Sequence, residues 1–315
     1  MNILFVADPF DKINPALDTT LMLCGESWRR KHVVYWATDT DLSISKNKLM
    51  VSTCKILSSA AFQIPQVSVK KTIAVANMDA VLIRKDPPFD QRYLQMCWLL
   101  SLEEHRVYML NRPSVLLRHQ EKLLPIEAFG CGYLQETDII PTFLNQIESL
   151  KEWGRRKEIP LWVVKPLLGY AGIGVRSEKP ENILSVNVGV DDIVQPFQKE
   201  VTETGNLNAI FIGGKYLAHF IKVPKEGNFL SNILRGGHAE MRPLLKRESG
   251  VLRKVEKFLK VMGIQWAGVD LLGQIIAEIN ITSPGGLTDL LALERRDYSK
   301  NVINFVERNF VKYRR

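Results

Sequence analysis

Asp270, Glu278 and Asn280 stand within GVDLLGQIIAEINITSPGG, residues 268–286, a run otherwise rich in Val, Leu and Ile. Carboxylates in such surroundings are costly unless they are hydrogen-bonded, paired or holding a metal. If AGVDLL and IIAEINI form antiparallel strands joined around Gly273 and Gln274, Asp270 faces Glu278 or Asn280 across the ladder. Glu278 and Asn280 lie two apart and leave their strand on one face. Three oxygen donors so gathered suit a hard cation, Mg2+ or in its place Mn2+, whereas zinc would ask for His or Cys nearby. A structural polar network tying the strands to the next loop would use the same three residues. That loop, TSPGG at 282–286, brings two hydroxyls and flexible backbone amides. Ser283 and Gly285 are its candidates to anchor a carboxylate or phosphate; a loop without any ligand is the alternative.

A second constellation lies at VVKPLLGYAGIGV, residues 163–175. Closely spaced Gly169, Gly172 and Gly174 let backbone amides approach phosphate oxygens, and Lys165 just before them supplies a neutralising charge. An ordinary tight turn would look the same. Two commoner nucleotide signatures are missing: FIGGKY lacks the hydroxyl residue that follows Lys in a P-loop, and the first strand runs into Ala7, Asp8 and Pro9 instead of a GxGxxG turn. In IRKDPPFD, residues 83–90, Arg84 ends an apolar strand, where α/β proteins commonly bind ligands. It is placed either to hold a substrate carboxylate bidentately or to pair with Asp86 or Asp90 and fix the corner. His219 and His238 are isolated and lack ligand spacing, which points to structural or surface roles. Cys24, Cys54, Cys97 and Cys131 form no CxxC pair, so neither a zinc ribbon nor a disulfide framework is signalled.

These groups need a framework. The chain has 315 residues, 46% of them hydrophobic, enough for one large core or two to three smaller ones. NILFVA at 2–7, a helical stretch at 19–30 and HVVYWAT open an α/β unit with crossover helices and a parallel sheet. AVLIR from 80, a helix at 91–104 and RVYML at 106–110 continue it to about residue 117. A second unit, 118–200, begins with a short helix containing Lys122, holds the glycine turn between two strands, and ends at DIVQPF. The third, 201–315, has strands in NAIFIGGKYLAHFIKVP, a polar loop at 225–240, a helix, the acidic hairpin and a closing helix near 298–310.

The formal charge of +8 comes from scattered basic residues. Their densest group includes Lys246, Arg247, Arg253, Lys254, Lys257 and Lys260, with Leu252, Val255, Leu259 and Met262 at helical spacing. That is the outer face of an amphipathic helix; the sequence lacks an interleaved aromatic and basic motif, so a nucleic-acid partner is not expected. The start, MNILFVADP, lacks the basic and apolar regions of a signal peptide, and no run approaches about 18 uncharged apolar residues. The expectation is a cytoplasmic protein with no membrane partner.

RKDPPFD at 84–90, NRPSVLLRHQEKL at 111–123, VVKPLLGYAGIGV at 163–175 and GVDLLGQIIAEINITSP at 268–284 together resemble the bacterial glutathione synthetase family, within the ATP-grasp carboxylate–amine ligases. The likeness runs in order along nearly the whole chain; RKDPPFD and EINITSP are its specific parts. It implies an N-terminal α/β domain, 1–117, and two ATP-grasp α+β domains holding ATP between them, a lid at 118–200 and a metal-binding domain at 201–315. It further implies that Lys122 and Lys165 contact ATP and that Gly169, Tyr170, Ala171, Gly172 and Gly174 fold over the phosphates. Gln195, Pro196 and Phe197 fall where the hinge meets adenine, and Asn206 where an acidic residue often meets the ribose. Asp270, Glu278 and Asn280 match the magnesium ligands one for one. The implied activity joins γ-glutamylcysteine to glycine through an acylphosphate, with Lys165 and Lys222 at the transferring phosphoryl group; the partners are small carboxylate and amine or amino-acid substrates. Symmetric homo-oligomers are expected by resemblance alone.

Departures from the family pattern gather in one place. Asn208 stands for an arginine that reaches the reacting phosphate, Lys222 for a second arginine and Leu230 for a third, and GGH at His238 replaces GGR. Leu168 precedes the first glycine where Asp is common. Arginine grips a carboxylate with two parallel bonds and lysine as a point charge, so the losses bear on which substrate is bound. Arg235 is the candidate to compensate. A ligase for another carboxylate and amino acid, or a nucleotide-binding homologue without catalysis, fits the same residues.

Overall fold

The computed structural model describes residues 1–60, 62–183, 188–228 and 236–313. Strands Asn2–Ala7, Val33–Ala37, Ala80–Arg84 and Tyr108–Leu110 pair in parallel. Every residue of Ala80–Arg84 is buried, as are five of the six in Asn2–Ala7, which is why both read as continuous apolar runs. The crossover helices Thr19–Arg29 and Gln91–Ser101 each begin on an aspartate: Asp18 accepts from the Leu21 amide at 2.6 Å and Asp90 from the Tyr93 amide at 3.0 Å. Asp90 is thus spent on a helix cap and does not pair with Arg84.

The sheet is larger than its parallel part. Lys48–Ser58 joins antiparallel to Val33–Ala37 and carries Leu42–Ser45, Gln66–Val67 and Lys71–Ala74, for eight strands in all. The parallel-sheet expectation therefore holds for the four strands on one side and corrects to a mixed sheet through the antiparallel strands on the other. The first edge turn is made by Lys46 and Asn47, at φ 48° and 62°. A two-residue hairpin turn with both φ positive ordinarily announces itself as Asn-Gly or Asp-Gly.

A four-stranded antiparallel sheet follows, in the order Arg176–Glu178, Trp162–Pro166, Asp192–Pro196, Phe143–Leu144. Its separate core consists of Leu150, Trp162, Val164, Ile183 and Val194 under helix Ile147–Lys157. The last sheet runs His238–Glu240, Lys215–Val223, Asn206–Ile212, Trp266–Leu272, Ile275–Asn280, antiparallel throughout. Helix Lys246–Val261 buries Val251, Leu252, Val255, Phe258 and Leu259, and its basic residues form the outer face as expected. Among them Lys254 pairs with Asp138 at 2.6 Å.

The first and last sheets share their cores. One cluster includes Leu4 and Val81 with Phe211, Phe258 and Val269; the other includes Phe5 and Leu82 with Ile210, Trp266 and Val302 of the closing helix Ser299–Tyr313. Buried Asn111, just past strand Tyr108–Leu110, fastens the first sheet to the last. Its Nδ2 donates to the carbonyls of Trp266 and Ile281 at 2.7 and 2.8 Å, and its Oδ1 accepts from the amides of Gln265 and Trp266 at 3.0 and 2.8 Å. No helix among the described residues is long and apolar enough to cross a membrane.

Candidate active site

The acidic hairpin forms as its alternation dictates. Asp270 lies opposite Glu278 and Gly268 opposite Asn280, while Asn208 of the neighbouring strand registers with Asp270. Asp270 Oδ1 accepts from Asn208 Nδ2 at 2.6 Å and Lys222 Nζ at 2.9 Å; Oδ2 accepts from Asn280 Nδ2 at 3.3 Å. Glu278 Oε1 lies 3.3 Å from Lys122 Nζ. The three oxygen-bearing residues thus gather on one face, with two lysine ammoniums standing on their carboxylates. Among the described residues no three His, Cys, Asp or Glu side chains are grouped so as to hold a metal ion, and the third member here is Asn280. An all-oxygen set with two carboxylates fits Mg2+ in donor chemistry. Asn280 uses only its amide nitrogen on Asp270, which leaves its oxygen uncommitted to that pair.

This face forms one wall of a cleft of about 620 Å³. The glycine turn lines the same cleft through Gly169, Tyr170, Ala171 and Gly172, and Lys122 Nζ bridges the turn and the acidic face by also donating to the Gly169 carbonyl. Lys122 belongs to the turn ahead of helix Leu124–Gly130, not to the helix expected around it. Gly174 is absent from the lining. It turns at φ +75° with its Cα against Pro166, where an added Cβ would come within 2.8 Å of the ring, so it folds the turn back on its own strand. Burial lowers the pKa of Lys165; the nearby Lys122 ammonium adds to this, and Glu278 and Asp270 oppose it.

Gln195, Pro196, Phe197 and Asn206 line the same cleft. Gln195 Nε2 donates to Thr142 Oγ1 at 2.7 Å, while Asn206 Oδ1 is buried without a protein partner. Ser283 and Gly285 reach the cleft as well, and Ser283 Oγ is likewise buried and unpartnered. Arg84 does not line the cleft. It is 4% exposed, with Nη1 donating to the Pro284 carbonyl at 2.9 Å, Nε to Thr20 Oγ1 at 3.2 Å and the guanidinium 4.5 Å from the Trp266 ring centroid. Its charge supports the 282–286 loop from beneath, which corrects the picture of a side chain offered to substrate. Arg235 and Leu230 lie outside the described residues. His219 is held by Tyr216 and the Arg242 carbonyl, and His238 is exposed beside Glu240, both as expected.

Two cleft residues escaped the sequence. Asp289, in the first turn of helix Leu287–Glu294, has a pKa raised by burial and partly restored by Lys222. Glu121 accepts at one oxygen from the Ile281 amide at 2.6 Å, the Thr282 amide at 2.8 Å and Thr282 Oγ1 at 2.9 Å. Burial and the nearby Glu278 raise its pKa, against the pull of those bonds. Its sole sequence signal is a carboxylate next to Lys122. Among the described residues, lysines are the only basic side chains on the cleft wall: Lys122, Lys165 and Lys222.

Two family models match the chain: the prokaryotic glutathione synthetase N-terminal domain over residues 1–117 and the prokaryotic glutathione synthetase ATP-grasp domain over residues 134–295. A glutathione synthetase of Prochlorococcus marinus subsp. pastoris is 29% identical over 314 residues, covering 96% of this chain and 98% of the relative. One from Nitrosomonas europaea is 27% identical over 334 residues, with 100% of each covered. In fold the chain is similar to the D-cycloserine synthetase DcsG, at a TM-score of 0.66, 14% identity and 99% coverage of both chains. It is also similar to the ATP-grasp ligase PsnB complexed with a minimal precursor, at a TM-score of 0.65 and 13% identity, covering 97% of this chain and 98% of that one.

Proposed function

This chain belongs to the prokaryotic glutathione synthetase family and is an ATP-dependent carboxylate–amine ligase, and on that premise we propose that it joins γ-glutamylcysteine to glycine. A carboxylate is a poor acyl donor because its leaving group would be oxide. In the proposed sequence a carboxylate oxygen attacks the γ-phosphorus and the bond to the β–γ bridging oxygen breaks, giving acylphosphate and ADP. The amine nitrogen then attacks the acyl carbon, the C–O bond to phosphate breaks with its electron pair leaving on phosphate, and the nitrogen loses a proton.

The observation that carries this reading is the single face shared by Asp270, Glu278 and Asn280, joined to the glycine turn by Lys122. Asp270, Glu278 and Asn280 would hold Mg2+, which supplies charge neutralisation at the β and γ oxygens. Lys122, Lys165 and the backbone of 169–172 are assigned to the phosphates, where fixed positive charge stabilises the transferring group. Gln195, Pro196 and Phe197 are assigned to the adenine and Asn206 to the ribose, its free Oδ1 being a ready acceptor. Lys222 is assigned to the acyl end of the cleft, and Ser283 and Gly285 to the substrate. Turning the glycine loop down over the cleft would keep water from the acylphosphate.

Incubation with ATP, Mg2+, γ-glutamylcysteine and glycine is expected to yield ADP, phosphate and the tripeptide, read by product mass. A second reading, a ligase for another carboxylate, is favoured by Asn208 bonded to Asp270 and by the all-lysine cleft wall. Phosphate release with some other carboxylate and amine, and no tripeptide, would replace the first reading by the second.

A further inference from the structure

Successive amides of an extended strand point to opposite sides. Yet Ile281 and Thr282, the first residues beyond strand Ile275–Asn280, both direct their N–H groups to Glu121 Oε1. One acceptor can take two consecutive amides only where the chain bends, and the Thr282 hydroxyl donates to the same oxygen. The Glu121 carbonyl also accepts from the Ile279 amide at 3.3 Å. Glu121 therefore grips the chain at the corner between the strand bearing Glu278 and Asn280 and the loop bearing Ser283 and Gly285. The far side of that loop is held by Arg84 at the Pro284 carbonyl. Between the two grips stands Ser283, whose buried Oγ has no partner in the protein. Immediately beside Glu121, Gln120 Nε2 donates to the Leu167 carbonyl at 2.8 Å and Lys122 to that of Gly169, so the same turn reaches the glycine loop.

We propose that Glu121 is a positioning residue of the ligase, which sets the angle between the oxygen-ligand strand and the 283–286 loop and so presents Ser283 Oγ to the carboxylate substrate. Its Oε1 is taken up by the corner, and it acts through the corner it holds. The role of the corner in turnover rests on the ligase reading, whereas the grip itself does not.

The test uses Glu121→Ala and Glu121→Gln in the full chain, since the glutamine oxygen can accept the same three bonds. Hydrogen exchange of amides 281 and 282 is expected to quicken about tenfold or more in E121A and to stay near the parent in E121Q. With the substrate pair that the parent turns over, E121A is expected to raise KM for the carboxylate about tenfold and lower kcat, with KM for ATP within about threefold and E121Q recovering most of the loss. Unchanged exchange at 281 and 282 in folded E121A overturns the proposal, as does a KM for ATP that rises in step with that for the carboxylate. If E121A does not fold, Thr282→Val removes one of the three bonds, and exchange at the corner should rise about twofold or more; no rise overturns the proposal equally. A parent that turns over no substrate strikes the ligase reading, and the exchange arm then decides the grip alone.

Discussion

Adjacent glycines in the substrate loop make a paired test of how tightly that loop is built. Gly286 has φ +87° and caps helix Leu287–Glu294; an added Cβ would stand 2.7 Å from Phe220 Cε1 and 3.3 Å from Ile210 Cδ1. Both neighbours are buried core side chains, at 2% and 0% exposure, and have nowhere to retreat. The left-handed backbone costs alanine roughly 1–2 kcal/mol and overpacking a filled core roughly 1–3 kcal/mol, against a gain of roughly 0.4–1 kcal/mol from a stiffer unfolded chain. Gly286→Ala should therefore destabilise by about 3 kcal/mol, a fall of roughly 4–5 °C in Tm for a protein of this size. At Gly285 an added Cβ would meet only Thr19 Oγ1, at 4.0 Å, and the backbone has no positive φ. Gly285→Ala should melt within about 2 °C of the parent. Thermal unfolding followed by circular dichroism at one scan rate compares the three proteins. Equal midpoints for G286A and the parent, or an equal fall in both variants, would refute the packing described around Phe220.

Two further outcomes concern the charges of the cleft. Glu278→Gln should raise the Mg2+ concentration needed for half-maximal turnover by about tenfold or more while Tm moves little, and an unchanged Mg2+ titration would remove Glu278 from the ligand set. Because burial holds the Lys165 pKa below the ordinary lysine value, its ammonium discharges early as pH rises. KM for ATP should then climb with pH below about 10.4, where an ordinary lysine titrates, and Lys165→Arg should flatten that climb because its guanidinium stays charged. Identical pH profiles for the parent and K165R would deny Lys165 its place on the phosphates.

What the sequence disclosed and what it hid divide along sequence separation. The hairpin of Asp270, Glu278 and Asn280 was legible because strand alternation and the Gly273 turn are local signals. The edge strands of residues 42–74 were not, since their Lys46–Asn47 turn lacks the glycine that marks such turns. Arg84 ends its strand as read, but its burial depends on Pro284, 200 residues away, and on the indole of Trp266. Glu121 was invisible for the same reason: the amides it holds lie 160 residues further on. Lys122 fell just outside its helix because nothing but the Pro125 beyond it marks where the first turn begins.

The small sheet that carries the glycine turn has an aromatic trio, Phe143, Trp153 and Trp162, with centroids 5.6 to 6.0 Å apart, and few other buried side chains. The first and last sheets instead interlock through two shared clusters. Free energy for opening is thus divided unequally along one polypeptide. With its own small core, the small sheet has less buried apolar contact to break on loosening than the interlocked body has. Amides of the small sheet are thereby expected to exchange well before those of the first and last sheets, so that endurance of the interlocked body does not carry over to it.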